Sequence, residues 1–407
     1  MKFTKLLLYV NLFFLQSYLI RFKIGVFPTN LQEVLIGLQC MIFLFEIIKN
    51  KAFIQTINNI KKHWVILCFA GLSIISAIVV ATQNGTGFYS SIDFIRHAKF
   101  LIFACVLSFI LIETFKSSEE RLKVFKVAGI GAMFFGLFCV IYNLLGYNVA
   151  HDHRLQGPMD AAVYLGYYLT PFFIFFTLEF LKDTKIKSNL LYTIALGILM
   201  LATLSMGSLA GSLIIILFYL FKTKDNKIIK SKTAKTIIAT ICLLVATTVF
   251  YLKILPTIQT NYSSLNERQE IWTTSATLLK TPKNLIFGVG LGQFQEQYFQ
   301  HVKAIIGHEP LDYYVLQPHN IFLLFIFQFG ILGLVFLIFC IKKNIQNIFS
   351  WKKNQPINFH IIANFLLLYF FIHGLIDTPF FKNDLLIILV LLMELSLLKT
   401  TDKTLKN

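Results

Sequence analysis

Charged residues are scarce in this sequence. Only 14% of its 407 residues are Asp, Glu, Lys or Arg, while 56% are hydrophobic and the mean hydropathy is +0.69. A soluble domain carries roughly a quarter charged residues. The composition therefore excludes an ordinary soluble domain and indicates a polytopic membrane protein.

Among the charged side chains, the acidic ones are the scarcer. The chain has 20 Asp and Glu against 37 Lys and Arg, a formal net charge of +17. Such an excess is typical of some nucleic-acid-binding proteins. Here, however, the lysines lie in short runs between apolar segments, and no basic face or aromatic–basic module is present. Membrane topology explains the charge better, and no nucleic-acid partner is predicted.

Paired cysteines and nucleotide-binding glycines are also missing. The six cysteines lie singly in apolar runs, without a CxxC pair or a histidine at metal-ligand spacing, so neither a disulfide framework nor a metal site is expected. Gly288, Gly290 and Gly292 lack the GxGxxG spacing and a surrounding βαβ unit. They predict a turn between two helices of a loop, and no cofactor is expected.

What the sequence has instead is a series of long apolar segments. A bilayer core of about 30 Å takes roughly 20 helical residues to cross. The predicted fold class is all-α: a polytopic membrane protein with about 12 transmembrane helices and one large outer loop. The candidate spans are 5–20, 31–48, 64–81, 97–114, 123–145, 161–181, 188–205, 207–221, 234–254, 319–341, 359–375 and 384–398. The predicted domains are 1–254 with helices 1 to 9, the loop 255–318, and 319–407 with helices 10 to 12.

Two of these segments are interpreted from their flanking residues. Residues 5–20 resemble a signal peptide, but Arg21 and Lys23 follow in place of a small-residue cleavage site, so a retained first helix is predicted. Segments 188–205 and 207–221 nearly touch. We expect a tight helical hairpin there, with Gly207 and Gly211 allowing close helix approach.

The basic residues set the predicted orientation. With the N-terminus in the cytoplasm, 26 of the 37 Lys and Arg residues fall in inner segments and 11 fall elsewhere. The positive-inside rule then places both termini in the cytoplasm. It places loops 82–96, 146–160, 255–318 and 376–383 outside.

The long outer loop carries its own helix signal. Ser264-Leu265-Asn266-Glu267 has the form of a capping box, which predicts a helix ending near Lys280. Its apolar residues, Ile271 and Trp272 among them, are expected to rest on the membrane surface.

Polar loops on the outer side hold the candidate site residues. Arg96, Arg154 and Arg268 lie there against the positive-inside bias. Guanidinium groups match the oxygens of a multiply charged anion, although a single arginine more often pairs with a lipid headgroup or a carboxylate. His319 follows Pro318 and opens an apolar helix. A neutral imidazole there can take a proton from a sugar hydroxyl, but a surface or capping histidine gives the same pattern, so the residues alone leave both interpretations open.

Three stretches together form a recognisable pattern. Pro318-His319-Asn320 is followed, after nine further residues, by Gly330-Ile331-Leu332-Gly333. Arg268 and Trp272 precede Pro282 and the Gly288/Gly290 turn, and Arg154-Leu155-Gln156-Gly157 precedes an apolar helix. These stretches, with the hydropathy plan over nearly the whole chain, resemble the O-antigen ligase and polymerase superfamily of bacterial envelope proteins. The His-Asn-x9-GxxG spacing is the most specific of the matches.

The resemblance implies a GT-C-like, metal-independent glycosyltransferase, surrounded by lipids of the bacterial inner membrane. Its donor would be a glycan on undecaprenyl diphosphate, and its acceptor a sugar hydroxyl of lipid A–core at the periplasmic face. His319 would be the general base, and Arg268 and Arg154 would stabilise the leaving diphosphate. The residues expected to contribute to substrate binding are Asn320, Arg96, Asp377 and Trp272.

One position departs from the family pattern. Where the family often has Ser-Arg-Gly near an outer helix end, this chain has Ser205-Met206-Gly207. If that arginine binds pyrophosphate, Arg154 or Arg96 is expected to substitute for it.

Three alternatives to a ligase follow from the same residues. A polymerase of the same superfamily would extend one lipid-linked glycan with another. A transporter of lipid-linked saccharide would hold functional charge near the membrane midplane, whereas the charges here cluster outside it. An oligosaccharyltransferase acting on protein is expected to be longer, with an extra outer domain.

Overall fold

The computed structural model of the chain describes residues 1–25, 27–82, 88–147, 154–223, 264–351, 357–378 and 380–398. Apart from one small hairpin, the regular structure in these ranges is helical. The α-helices, numbered here in chain order, are α1 (Lys2–Phe13), α2 (Leu31–Lys49), α3 (Phe53–Ile60), α4 (Trp64–Thr82), α5 (Phe88–Thr114), α6 (Ser118–Leu144), α7 (Ala162–Lys182), α8 (Lys187–Ala202), α9 (Met206–Lys222), α10 (Ser264–Leu278), α11 (Pro282–Phe287), α12 (Phe294–Ile306), α13 (Ile321–Ser350), α14 (Phe359–His373) and α15 (Asn383–Leu397).

Six helices of the described ranges are long and apolar enough to cross a membrane. They are Leu31–Lys49, Trp64–Thr82, Ile92–Thr114, Ser118–Leu144, Ala162–Lys182 and Ile321–Ser350, and three shorter apolar helices accompany them, Lys187–Ala202, Met206–Lys222 and Phe359–His373. These helices support a multi-pass membrane protein. The predicted span 234–254 lies outside the described residues, so the count of twelve stays a prediction.

The first predicted span differs from the structure. Its α-helix ends at Phe13 and a 3-10 helix covers Leu15–Leu19. The chain then forms an antiparallel hairpin of β1 (Arg21–Ile24) and β2 (Phe27–Asn30), so the fold is nearly but not entirely α. Gly25, with φ of +60°, permits the reversal between the two strands.

The ends of the helices fall into two groups. At one end, the Lys5 ammonium donates to Glu120 at 2.6 Å, which joins two predicted inner segments. At the other end, Lys382 donates to Asp160, which joins two predicted outer loops. Each pair joins segments that the sequence predicts on the same side of the membrane, and the placement of the loops and termini stays a prediction.

Helix α15 lies at the centre of the bundle. Every residue from Asn383 to Ser396 is buried. A helix that is apolar on all sides is stable only where protein or lipid covers it, and here the neighbouring helices do so. This central helix begins directly after the outer loop that carries Asp377.

A short turn joins α8 and α9 at the predicted position, but the two helices do not pack along each other as a tight hairpin would, and the close packing of α9 has a different partner. A Cβ on Gly207 would lie 2.2 Å from His373 Nε2, and one on Gly211 would lie 3.0 Å from the Tyr369 ring. Both of those residues belong to α14. The small residues of α9 therefore bring α9 against α14, which places the start of α9 beside the outer end of α14.

The sequence predicted that the apolar residues of α10 rest on the membrane surface, but in the structure they pack inside the long loop. Ile271 is 3% exposed and Leu278 is 7% exposed, because both pack in a second hydrophobic cluster. That cluster joins α10 and α12 to the outer end of α13 through Tyr298 and Phe327. The apolar face of α10 thus serves as the core of the loop, and the loop is held directly above α13.

Candidate active site

A turn of four residues, 374–377, lies between α14 and α15 and receives hydrogen bonds from two other segments. The Ile321 amide donates to the Gly374 carbonyl at 2.6 Å, and the Asn320 carboxamide donates to the Leu375 carbonyl at 3.1 Å. Arg268 Nε donates to the Ile376 carbonyl at 2.9 Å, across 108 positions of sequence. The 374–377 turn is therefore where the long loop, the start of α13 and the end of α14 meet.

His319 enters this meeting point with an unusual backbone. Its φ is +49°, in the left-handed region, which costs a residue other than glycine about 1–3 kcal/mol. Both neighbours are held: Trp272 Nε1 donates to the Pro318 carbonyl at 3.0 Å, and the Asn320 side chain accepts from the Phe322 amide at 3.0 Å as the N-cap of α13. The surrounding bonds thus hold His319 in this conformation and set the direction of its imidazole.

The imidazole of His319 is bonded to Asp377. Nδ1 of His319 lies 2.9 Å from Oδ1 of Asp377, and the histidine side chain is 34% exposed while the carboxylate is 8% exposed. An ionised carboxylate only accepts hydrogen bonds, so Nδ1 carries the proton and Nε2 of the neutral ring keeps its lone pair. One nitrogen is thus occupied by Asp377, and the other is able to accept a proton.

Asp377 is ionised at neutral pH despite its burial. Burial by itself raises the pKa of this carboxyl. The hydrogen bond from His319 and the nearby charges of His319, His373 and Arg268 outweigh that effect and lower the pKa below its ordinary value of 3.8. The Thr378 amide also donates to Asp377 Oδ1, at 2.9 Å. These donors hold a negative charge directly behind the imidazole.

Arg268 reaches the same carboxylate from α10. Its Nη2 lies 3.8 Å from Asp377 Oδ2, and its Nη1 donates to the Ser264 carbonyl at 3.1 Å. A guanidinium has five N–H donors. The backbone bonds to Ser264 and Ile376 use two of them, and the side chain is 20% exposed. The remaining donors bring fixed positive charge to the rim of the His319 site.

A second histidine, His373, lies beneath the turn and was not singled out by sequence. It is 1% exposed, stacks on Tyr167 with ring centroids 4.0 Å apart, and its Nδ1 lies 2.8 Å from the Tyr369 hydroxyl. Its carbonyl accepts the Asp377 amide at 3.1 Å. The signal for it in the sequence is the spacing of four residues between His373 and Asp377, which places both at one helix end.

The two glycine motifs of the sequence meet each other in space. Gly330 has φ of +68° inside α13, and a Cβ there would lie 2.1 Å from the Ile286 carbonyl oxygen of α11. A Cβ on Gly288, in the turn after α11, would lie 2.6 Å from the Phe327 carbonyl oxygen. That carbonyl accepts the Val289 amide at 2.8 Å. The first glycine of the GxxG motif thus provides a kink in which the glycine turn of the loop is seated.

The same turn is tied to the N-terminal helices. The Leu291 amide donates to the Ser76 hydroxyl of α4 at 2.6 Å, and the Gly292 amide donates to Gln328 of α13 at 2.7 Å. The prediction of a turn between two loop helices is confirmed, since 288–293 lies between α11 and α12. Its purpose in the fold is to anchor the loop on both halves of the chain.

Arg154 lies at the turn between α8 and α9. The amide of the next residue, Leu155, donates to the Ala202 carbonyl at 2.9 Å, where α8 ends. Met206, the residue at the position of the family arginine, begins α9 four residues after Ala202. Gly207 in turn contacts His373. The residue after Arg154 is therefore held at the end of α8, close in sequence to the start of α9.

Arg96 belongs to a separate group of charges on the outer side. It lies 3.5 Å from Asp93 on α5, and its side chain is 53% exposed. Burial raises the pKa of Asp160, but the hydrogen bond from Lys382 and the charges of Arg21 and Arg96 lower it below the ordinary value. Arg96 thus acts electrostatically on Asp160, whose partner Lys382 has its Nζ over the ring of Tyr164.

Five of the predicted site residues lie in or beside the 374–377 turn: His319, Arg268, Asp377, Asn320 and Trp272. Arg154 and Arg96 lie in the two neighbouring groups described above. No set of three His, Cys, Asp or Glu side chains within the described ranges is arranged to hold a metal ion.

A sequence model of the O-antigen ligase family matches residues 191–338, a range that contains Arg268, His319, Gly330 and Gly333 but ends before Asp377. No curated protein matches the chain. The predicted resemblance to the O-antigen ligase and polymerase superfamily is confirmed over the matched range. The match supports a glycosyltransferase-like enzyme of the ligase or polymerase type, acting on lipid-linked glycans.

Proposed function

Proceeding from the family match of residues 191–338, we propose that this protein is an O-antigen ligase-type glycosyltransferase. It transfers a glycan from undecaprenyl diphosphate to a sugar hydroxyl of lipid A–core at the periplasmic face of the inner membrane, without a metal. The fold is the GT-C-like bundle of about 12 helices expected from sequence, with both termini in the cytoplasm. The single observation that carries the proposal is the His319–Asp377 bond of 2.9 Å, because it leaves Nε2 free to act as a base.

The reaction follows from the geometry of this pair. Nε2 of His319 takes the proton of the acceptor hydroxyl as its oxygen bonds to the anomeric carbon of the donor. The bond from that carbon to the diphosphate oxygen breaks, and the diphosphate leaves with the electron pair. Asp377 lies behind Nδ1, so its negative charge stabilises the imidazolium as it forms.

The cationic groups serve the leaving group. Arg268 has three N–H donors beyond its two backbone bonds, and the residue after Arg154 is bonded to the end of α8. Donors that are already oriented stabilise developing negative charge without first having to reorganise. We assign both arginines to the diphosphate. Arg96 and the other predicted binding residues contact the substrates or hold the residues that do.

Replacing His319 tests the proposal. His319→Ala should lower the transfer rate roughly a hundredfold or more, because general-base catalysis contributes a factor of that size. Donor binding and expression should be unchanged. The products then separate the reactions: ligase loss leaves lipid A–core bare while polymerised glycan accumulates on undecaprenyl diphosphate. Core capped by a single repeat unit in the deletion strain would replace the ligase by a polymerase. Near-normal transfer by His319→Ala would contradict both.

The orientation has its own test. Reporter fusions after Lys51 and Lys185 should give a cytoplasmic signal, and a fusion near Lys303 a periplasmic one, because 26 of the 37 basic residues lie in the predicted inner segments. A cytoplasmic signal at Lys303 would put the site on the wrong side of the membrane for a periplasmic transfer.

A further inference from the structure

A polar cleft of about 430 Å³ lies in the loop, between α10, the end of α12 and His308. Its helix α10 side is formed by Asn266, Gln269, Glu270 and Thr273. Their spacing of three, four and seven residues from the first puts all four on one face of α10. Arg268 belongs to the same two turns of this helix but lies on the opposite face, so α10 separates the cleft from the 374–377 turn.

The chemistry of the lining discriminates among ligands. Two carboxamides, a hydroxyl, a carboxylate and an imidazole offer both donors and acceptors, and Ile305 and Ile306 add an apolar surface. The lining contains no Lys or Arg, as a phosphate would require, and Glu270 is its single carboxylate, too few for a divalent cation. A lipid tail would leave these polar groups unsatisfied. A sugar ring matches them, because it presents hydroxyls at its edge and C–H groups on its faces.

The cleft is built on held side chains. Glu270 is 14% exposed, and its Oε2 accepts the Leu311 amide at 2.9 Å. Its Oε1 lies 3.9 Å from His308 Nε2, which closes the far side of the cleft. Gln269 and Thr273 are exposed and open to an incoming ligand. The volume falls in the range of about 300–1,000 Å³ in which small ligands bind.

We propose that this cleft is a saccharide subsite, which binds sugar units of a glycan substrate at a distance from its reacting end. The proposal rests on the proposed function for the identity of that glycan. The sugar comes from one of two sources, the lipid-linked donor or the core acceptor, and both present the same hydroxyl-rich chemistry.

Binding measured without transfer tests the cleft apart from the reaction. The probes are the soluble oligosaccharide released from the lipid-linked donor and core oligosaccharide freed of lipid A. Each is titrated against the full chain in lipid nanodiscs and followed by saturation-transfer NMR. Gln269→Ala should weaken binding of one probe about fivefold, the value of one neutral hydrogen bond, and Gln269→Ala with Thr273→Ala tenfold or more. The matched controls are Gln300→Ala on α12 and Thr277→Ala on α10, both outside the lining.

The outcomes separate the two proposals. Weaker binding of either probe in the cleft variants, with unchanged controls, supports the subsite and identifies the source of the sugar. Absence of binding by both probes, or equal losses in cleft and control variants, overturns it. If the wild-type protein binds a probe but transfers nothing, the proposed function fails while the subsite stands. If transfer proceeds and the cleft variants leave both KM values unchanged, the subsite fails while the proposed function stands.

Discussion

The replacement of Asp377 by Asn is the sharpest test of the His319–Asp377 pair. Asn has nearly the shape of Asp, and its carbonyl oxygen in place of Oδ1 can still accept from His319 Nδ1 and from the Thr378 amide, both now at 2.9 Å. The amide nitrogen would then face Arg268 Nη2, where Oδ2 now lies at 3.8 Å. The geometry of the imidazole is therefore kept, and the negative charge behind it is lost.

The size of the effect follows from the lost charge. Hydrogen bonds to charged groups contribute about 1.5–3 kcal/mol, against about 1 kcal/mol for neutral ones. Replacing the charged bond to the imidazolium by a neutral one should cost about 0.5–2 kcal/mol. The transfer rate should therefore fall roughly 2- to 30-fold, at about 1.36 kcal/mol for each factor of ten. The assay is the rate of glycan transfer by purified protein at saturating donor and acceptor. Asp312→Asn is the control, because Asp312 bonds only to its own loop, at the Tyr314 amide.

Two results would refute this reasoning. Asp377 acts through His319, so Asp377→Asn should add almost nothing to the loss already caused by His319→Ala. A further tenfold loss in the double variant would show that the carboxylate acts independently of the histidine. A transfer rate within twofold of wild type in Asp377→Asn would show that its charge has no part in the step.

Three further predictions concern charge, packing and pH. Arg268→Lys keeps the charge but loses the planar donor set that now bonds Ile376 and Ser264. It should lose most of the transfer activity that Arg268→Ala loses, which corresponds to about 2–4 kcal/mol of transition-state stabilisation. Full activity of the Lys variant would limit the role of Arg268 to its charge. Gly330→Ala should lower the thermal stability of the detergent-solubilised protein and its activity, since left-handed backbone costs about 1–2 kcal/mol and overpacking about 1–3 kcal/mol. The control Gly71→Ala should behave as wild type, because a Cβ there would have no atom within 4 Å. Equal melting temperatures of the two variants would contradict the kink at Gly330. The folded pKa of Asp377 is depressed below 3.8, so its contribution to stability is complete above that pH and is lost as the pH falls through the lower folded value. The difference in thermal stability between wild type and Asp377→Asn should not shrink between neutral pH and about 4, and it should shrink below that pH. A difference that shrinks near pH 6 would assign the effect to another group.

The sequence by itself determined the membrane class and most of the helices, and it indicated the residues that are proposed for the site. Runs of apolar residues as long as 321–350 form helices wherever they are placed, because lipid leaves backbone groups no other partner. The spacing from His319 to Gly330 and Gly333 is local information, so it was sufficient to indicate the family, which the match over 191–338 confirmed. Residues from separate motifs, such as Arg268 and His319, could be selected in the same way.

The tertiary structure decided which of these residues lie in contact. The bond between His319 and Asp377 spans 58 positions, and that between Arg268 and Ile376 spans 108, so no periodicity in the sequence could predict either. The same is true of the loop helix α10, whose apolar face packs in the loop core instead of on the membrane. Amphipathicity shows that a face must be covered but not what covers it, and the covering surface here is supplied by α12 and α13. The positive φ of His319 likewise exists only because the Trp272 and Asn320 side chains hold the residues on either side of it.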